Sequence, residues 1–476
     1  PGPVFMSVVQ SLKNALEKRH LLSADTLVFA FGAILIPNAV FIFLSLFYCP
    51  FRTFFVLLLS LICLLGLYLH RSVFFVLLLA VMTVDVLVLI SNFFQMPLPM
   101  LVDSLRYAGN LSLMNSAVYL AAAIVLLVSF ALTYKVVVRT RQNRQTVNLA
   151  PFFVVLAIYA GFDWWANSLP QEYALAATSV EESYVPTDDA ASLYSGLEDH
   201  LDDAQKRNVL VVMVEGLGAF ASQELRDLIW QPLLERDVAD HYVVEQGDAV
   251  YFGSTTSGEV RELCNLKADY RDFRDRESGE CLPLKAVQAG YRTAAFHAFT
   301  GNFFERFDWY PKIGFQDLFF MENKLGFGAD RTLPLCGIAF QGYCDEDAAE
   351  AVGKFLLEAD GDRKFAYWLT LNSHKPVNPG EVPPRFSCDD GGGVFGDVEL
   401  CRMAEQWVNV SHLVKAIALD ESLAETEIVL VGDHHPPLFS RSARNKFAPG
   451  RVAWLHLRPK RDEQQTLAAK LSATQN

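Results

Sequence analysis

The chain has 476 residues, 52% of them hydrophobic, and a formal net charge of −14; its mean hydropathy is +0.21. It is too long for one small domain and too apolar for an ordinary soluble enzyme. An acidic balance, with no basic stripe or aromatic-basic interleaving, argues against nucleic acid as a partner.

At the front, Pro1-Gly2-Pro3-Val4-Phe5 reads as the remnant of a cleaved tag and Met6 as the native start. Apolar stretches follow at 26–48, 52–69, 73–94, 115–134 and 150–167, each near the roughly 20 residues that a helix needs to cross a bilayer core. Five such spans exclude a single targeting sequence. Lys13, Lys18 and Arg19 precede the first, Arg71 lies between the second and third, and Lys135, Arg139, Arg141 and Arg144 lie between the fourth and fifth. The other short loops hold only Arg52 and Arg106, so the N-terminus is expected in the cytoplasm and everything after Trp164-Trp165 outside. Asp85 is the one acid well inside a span and Pro37-Asn38 the one obvious break, too little for a transport path.

The expected organisation is a five-span transmembrane anchor over 6–167, a juxtamembrane linker over 168–206 and an exported α/β domain over 207–476. The linker carries Glu172, Glu181, Glu182, Asp188, Asp189, Glu198, Asp199, Asp202 and Asp203 with little apolar periodicity. Beyond it, strands are expected at 208–214, 241–247, 292–297, 364–371, 427–432 and 451–456. Helices are expected at 221–236, 282–290, 346–359 and 398–419. Such alternation implies a doubly wound, mainly parallel sheet.

Cys49 and Cys63 belong to the anchor, while the exported part holds an even set: Cys264, Cys281, Cys336, Cys344, Cys388 and Cys401. Outside the cytosol these are expected as disulfides between sequence neighbours, Cys264 with Cys281, Cys336 with Cys344, and Cys388 with Cys401. A tetrathiolate zinc site competes with that reading, but no tight C-x-x-C pair is present.

Chemistry concentrates where apolar runs stop at acids. Val209 to Val214 ends at Glu215, a second run ends at Gly432-Asp433-His434, and Gly253-Ser254-Thr255-Thr256-Ser257-Gly258-Glu259 lies between them. Parallel strands bring such residues to one sheet edge, where α/β folds build their sites. Glu215, Thr255, Asp433 and His434 form a candidate metal site, in which a cation lowers the pKa of a hydroxyl nucleophile and shields an attacked phosphate. Oxygen ligands with one imidazole admit Zn²⁺ or Mn²⁺. His435 is an additional candidate, and the hydroxyls of Ser254, Thr256 and Ser257 crowd Thr255.

These motifs resemble those of the membrane-anchored phosphoglycerol and phosphoethanolamine transferases of the sulfatase/alkaline phosphatase superfamily, which include lipoteichoic acid synthases and lipid A modifying enzymes. Val214-Glu215-Gly216-Leu217-Gly218 is similar to that family's first motif with Gly for Ser, and Gly253 to Glu259 to its nucleophile motif, with Thr255 in the nucleophile's place. Gly432-Asp433-His434, Asn372-Ser373-His374-Lys375-Pro376 and Phe296-His297 with Phe304-Glu305-Arg306 follow in kind. The resemblance implies an alkaline phosphatase/sulfatase-like exported domain with a mainly parallel central sheet, and His297, Arg306 and His374 lining a phosphate pocket. It implies a transferase that moves a headgroup phosphate from phosphatidylethanolamine or phosphatidylglycerol to a glycan or glycolipid through a phosphothreonine. Zinc is favoured, with manganese as the alternative, and the place is a bacterial inner membrane with the catalytic domain in the periplasm. Phe304 stands where lipoteichoic acid synthases have Trp, and the cysteine pairs look more like the phosphoethanolamine branch. The alternatives are a metal phosphodiesterase or sulfatase-like hydrolase and a non-catalytic lipid-binding relative. Cys281-Leu282-Pro283-Leu284-Lys285 approaches the formylglycine motif of sulfatases, with Lys for Arg.

Overall fold

The computed structural model describes residues 23–45, 51–94, 96–145, 147–168, 184–201, 207–275, 279–359 and 361–460. Lys13, Lys18, Arg19, Cys49 and the linker acids Glu172, Glu181, Glu182, Asp202 and Asp203 lie outside the described residues. The chain forms two compact units, Pro1–Phe93 with Ser116–Glu172, and Phe94–Asn115 with Tyr173–Asn476. The 94–115 stretch, expected within the anchor, therefore packs with the α/β domain.

The first unit is helical: Ala24–Leu35, Ala39–Leu44, Thr53–Gly66, Arg71–Phe93, Ala117–Gln142 and Ala150–Ser168. Among the described residues, Arg71–Phe93 and Ala117–Gln142 are long and apolar enough to cross a membrane, and three apolar helices are shorter. The first expected span breaks at Pro37, whose ring nitrogen has no proton to donate, and Asn38 Nδ2 donates to the carbonyl of Ile34 at 2.7 Å. Asp85 is not left as an unpaired acid in an apolar helix. Arg52 grips it, with Nε donating to Oδ1 at 2.9 Å, and both side chains are buried. Asp163 Oδ2 accepts from the Arg52 amide and from Thr53 Oγ1 at 2.6 Å. A buried charge held this way knits helices together, because separating it would strand both partners.

In the second unit the strands are β1 (Val185–Pro186), β2 (Asn208–Val214), β3 (Gly218–Phe220), β4 (Tyr242–Val250), β5 (Leu266–Lys267) and β6 (Tyr291–His297). They continue as β7 (Asp317–Phe319), β8 (Leu335–Cys336), β9 (Gly342–Tyr343), β10 (Arg363–Leu369), β11 (Thr426–Gly432) and β12 (Phe447–Pro459). Eight of them build one sheet in the order β3-β12-β11-β2-β10-β6-β7, with β4 also on β12. The run β11-β2-β10-β6-β7 is parallel throughout, and β12 turns the edge antiparallel. Every residue of β2 and β11 is buried, as expected of parallel strands covered on both faces. Fully burying each Val, Leu or Ile contributes roughly 1.5–3 kcal/mol, so the two strands that carry the acids are also the best anchored.

The expected strands and helices are present with shifted limits. The helix expected over 221–236 is interrupted at Pro232, giving Gln223–Trp230, a 3-10 turn and Arg236–His241. The last strand runs over Phe447–Pro459 because it pairs with both β11 and β4. Three disulfides join Cys264 to Cys281, Cys336 to Cys344 and Cys388 to Cys401.

Candidate active site

Register decides which residues meet. Gly432 pairs with Val214, so the next residues, Asp433 and Glu215, leave adjacent strands side by side. Leu369 pairs with Met213 and with His297, which puts Thr370 to His374 and His297 at the same carboxyl edge.

The Glu215 backbone is fixed from three sides. Its amide donates to Thr370 Oγ1 at 3.0 Å, and its carbonyl accepts from Ser373 Oγ at 2.7 Å and Trp407 Nε1 at 3.0 Å. Gly216 follows in the left-handed region, φ +67, a conformation that suits Gly where the family motif has Ser. Its amide and that of His434 both donate to Asp433 Oδ1 at 2.7 Å. Asp433 Oδ2 is thereby left buried with no hydrogen-bond partner. Arg261 braces the strand end from behind, donating to the carbonyls of Gly432 and Asp433 at 2.8 and 3.3 Å.

Thr255 opens the α-helix Thr255–Cys264. Its Oγ1 lies 3.3 Å from Glu215 Oε2 and 3.3 Å from His434 Nε2. Gly258 permits this approach, since a Cβ there would come within 2.9 Å of the Asp433 Cα. Thr255 alone among the four crowded hydroxyl residues has these two contacts; Ser254 Oγ is buried without a partner.

His434 turns Nδ1 to the carbonyl of His435 at 2.8 Å. A carbonyl only accepts, so Nδ1 carries a proton, and Nε2 faces Glu215 and Asp433, 3.5 and 3.4 Å away. Ligand atoms of Glu215, Asp433 and His434 lie within 4.8 Å of one another. Burial, then the carboxylate of Asp433, push Glu215 well above the ordinary carboxyl range. Two buried acids, an unpartnered carboxylate oxygen and an inward imidazole nitrogen fit a divalent cation, which would cancel the repulsion.

His297 donates Nδ1–H to the Leu369 carbonyl at 3.0 Å, and His374 does so to the Lys375 carbonyl at 2.9 Å. Burial pushes both down, His297 well below its usual range and His374 to about 4. Both rings are therefore neutral near pH 7 with Nε2 as acceptor. Arg306 is buried, and its fork is engaged by Glu259, with Nη2 on Oε2 at 3.1 Å and Nε on Oε1 at 3.3 Å. Tyr310 and Tyr367 hydroxyls share that carboxylate, so Arg306 offers the pocket its field rather than a free fork. His435, the additional candidate, has its Nε2 bonded to the Arg451 carbonyl at 2.7 Å and its ring packed on Tyr251. Burial holds it down at about 4.

Sequence reasoning did not single out Gly258, Arg261, Glu259 or Thr370. The helix Thr255–Cys264 carried a signal in Val260 and Leu263 at helical spacing behind Ser254; the bracing roles had none. Asp345 was also missed. It accepts from the amides of Leu371 and Asn372 at 3.0 and 2.9 Å, holding the segment that leads to His374, and burial pushes it up to about 7.

This architecture is that of the alkaline phosphatase/sulfatase-like α/β domains. Residues 207–466 match the Sulfatase family model, and the chain belongs to that family, which bears out the resemblance read from the motifs. Similar solved structures include the lipoteichoic acid synthase LtaP from Listeria monocytogenes, 17% identical over 54% of this chain and 67% of that one, TM-score 0.39. Another is the phosphoglycerol transferase GacH of Streptococcus pyogenes in complex with sn-glycerol-1-phosphate, 15% identical over 58% and 77%, TM-score 0.39. A third is the periplasmic domain of EcEptC from Escherichia coli with zinc, 11% identical over 55% and 74%, TM-score 0.34. No curated protein matches the chain.

Proposed function

We propose that the chain is a membrane-anchored transferase that moves a phospholipid headgroup phosphate, phosphoethanolamine or phosphoglycerol, onto an envelope glycan or glycolipid. The observation that carries this reading is the convergence of Thr255 Oγ1 with Glu215 and His434 beside the unpartnered Asp433 Oδ2. Glu215, Thr255, Asp433 and His434 would hold a divalent cation, zinc in first place, manganese in second. When bound it neutralises charge on the phosphate and lowers the pKa of the hydroxyl.

Thr255 Oγ attacks phosphorus and gives its proton to solvent, and the bond from phosphorus to the diacylglycerol oxygen breaks as that oxygen takes up a proton from solvent. The headgroup remains as a phosphothreonine ester. An acceptor hydroxyl then displaces Thr255 at phosphorus, its proton passing to the departing Thr255 Oγ, which regenerates the hydroxyl. The N-terminus of the helix Thr255–Cys264 favours the anionic ester. The anchor, five spans with an outer α/β domain at a bacterial inner membrane, holds the site near lipid headgroups. Sulfatase chemistry is disfavoured, because Cys281, the only formylglycine-like cysteine, is bonded to Cys264. Water in place of the acceptor would make the same site a phosphodiesterase.

Intact-mass spectrometry of the full chain, loaded with zinc and incubated with phosphatidylethanolamine or phosphatidylglycerol, tests the reading. A headgroup-phosphate adduct is expected, absent in Thr255→Ala, with turnover in that variant lower by on the order of 10³-fold or more. No adduct with either lipid on zinc-loaded protein would refute the covalent transfer.

A further inference from the structure

Residues 94–115 join two apolar helices in sequence, yet they pack as part of the α/β unit. Met100 is buried in the main core, and Met96, Tyr107 and Leu111 lie against it. The Ser112 amide donates to the Ala339 carbonyl at 2.8 Å, the Tyr107 ring sits 5.7 Å from Phe303, and Arg106 pairs with both Asp103 and Glu305. Arg274 closes the ionic ring by reaching Asp103 and Glu305 from the other side.

The two landing points of this stretch each adjoin a pocket residue. Phe304 and Glu305 both have φ +55, a left-handed conformation that residues with a Cβ keep only when neighbours over-determine it. The carbonyls of that turn are used: Phe303 accepts from Arg306 Nη1 and Phe304 from Trp309 Nε1, both at 3.0 Å. Glu305 is thus pinned by two arginines immediately before Arg306, whose guanidinium is locked on Glu259 one helical turn after Thr255. The second landing point, Ala339, precedes Phe340, whose ring centroid lies 3.7 Å from that of His374.

We infer that residues 94–115 are a buttress of the active site, with Arg106 and Tyr107 as positioning residues that hold the Phe303–Glu305 turn, and through it Arg306, while Ser112 holds the Ala339–Phe340 edge against His374. The catalytic part of this inference rests on the proposed function; the structural part does not. An α/β domain taken from residue 207 onward lacks Met100 from its core and both supports, whatever its metal content.

The test uses the full chain in detergent as wild type, Arg106→Ala/Tyr107→Ala and Arg106→Lys. In the double variant, amide hydrogen exchange over 303–307 should accelerate about five-fold or more, and kcat for headgroup transfer should fall about ten-fold with little change in KM. Zinc uptake should stay at the wild-type level. Arg106→Lys, which keeps the charge, should restore most of the rate. Unchanged exchange over 303–307 would overturn the buttress itself. Faster exchange with unchanged kcat would overturn the positioning role. If the wild type turns over no lipid, the proposed function fails, and the exchange result alone still decides whether the segment supports the turn.

Discussion

Strand β11 carries a carboxylate cluster at each end, and the two behave oppositely. At its start, buried Glu427 accepts from His456 Nε2 at 2.7 Å and His200 Nδ1 at 2.8 Å, with Arg207 3.7 Å from its other oxygen. Burial works to raise Glu427, but His456 and His200 outweigh it and hold the group below its usual value. At the far end Asp433 faces a second acid, Glu215, with one imidazole beside both. The same residue types thus make a closed structural cluster in one place and an open one in the other. What separates them is the balance of charge: one acid beside two imidazoles and a guanidinium, against two acids and one imidazole.

The largest expected effect breaks the open cluster. Asp433→Asn should bring zinc in the purified protein from one per chain to none by elemental analysis, and abolish turnover with it. Gly258→Ala should come next. Its Cβ would press within 2.9 Å of the Asp433 Cα, and a displacement of about 1 Å at Thr255 should cost about 10²-fold in kcat while the protein stays folded in thermal melts. The closed cluster should answer differently. Glu427→Gln should lower unfolding free energy by about 3 kcal/mol, visible in denaturant titration, and leave zinc content and kcat unchanged. Loss of zinc in that variant would erase the distinction between the two ends.

The smallest effect sharpens it through pH. Asp345, pushed up to about 7 by burial, keeps its proton in the folded state where the unfolded chain has lost it. The folded state then binds more protons, so this group makes stability fall as pH rises from about 4 towards 7. Asp345→Asn removes that slope, and its stability relative to wild type should improve as pH rises through this window. A constant difference would place the carboxyl as ionised throughout.

The two ends also differ in how legible they were. Glu215, Asp433 and His434 were readable because each ends a buried apolar run, and parallel register then carries strand ends to one edge without further information. Thr255 was readable from its motif, while the helix that aims it had only the spacing of Val260 and Leu263 to announce it. Glu427 and His456 are buried side chains within β11 and β12, and His200 lies on a short helix far away in sequence; no local pattern joins them. Their pairing depends on tertiary packing, as do the engagement of Arg306 by Glu259, the turning away of His435 and the docking of 94–115 on the α/β unit. Residue type named His435 as an additional site candidate, and packing turns its Nε2 to the carbonyl of Arg451.

The most direct test of the metal centre is zinc-edge X-ray absorption of the full chain reconstituted with one equivalent of zinc. The proposed centre predicts a coordination shell of oxygen with a single imidazole nitrogen and no sulfur, lost in Asp433→Asn. A sulfur shell, or a zinc signal that survives that substitution unchanged, would contradict it.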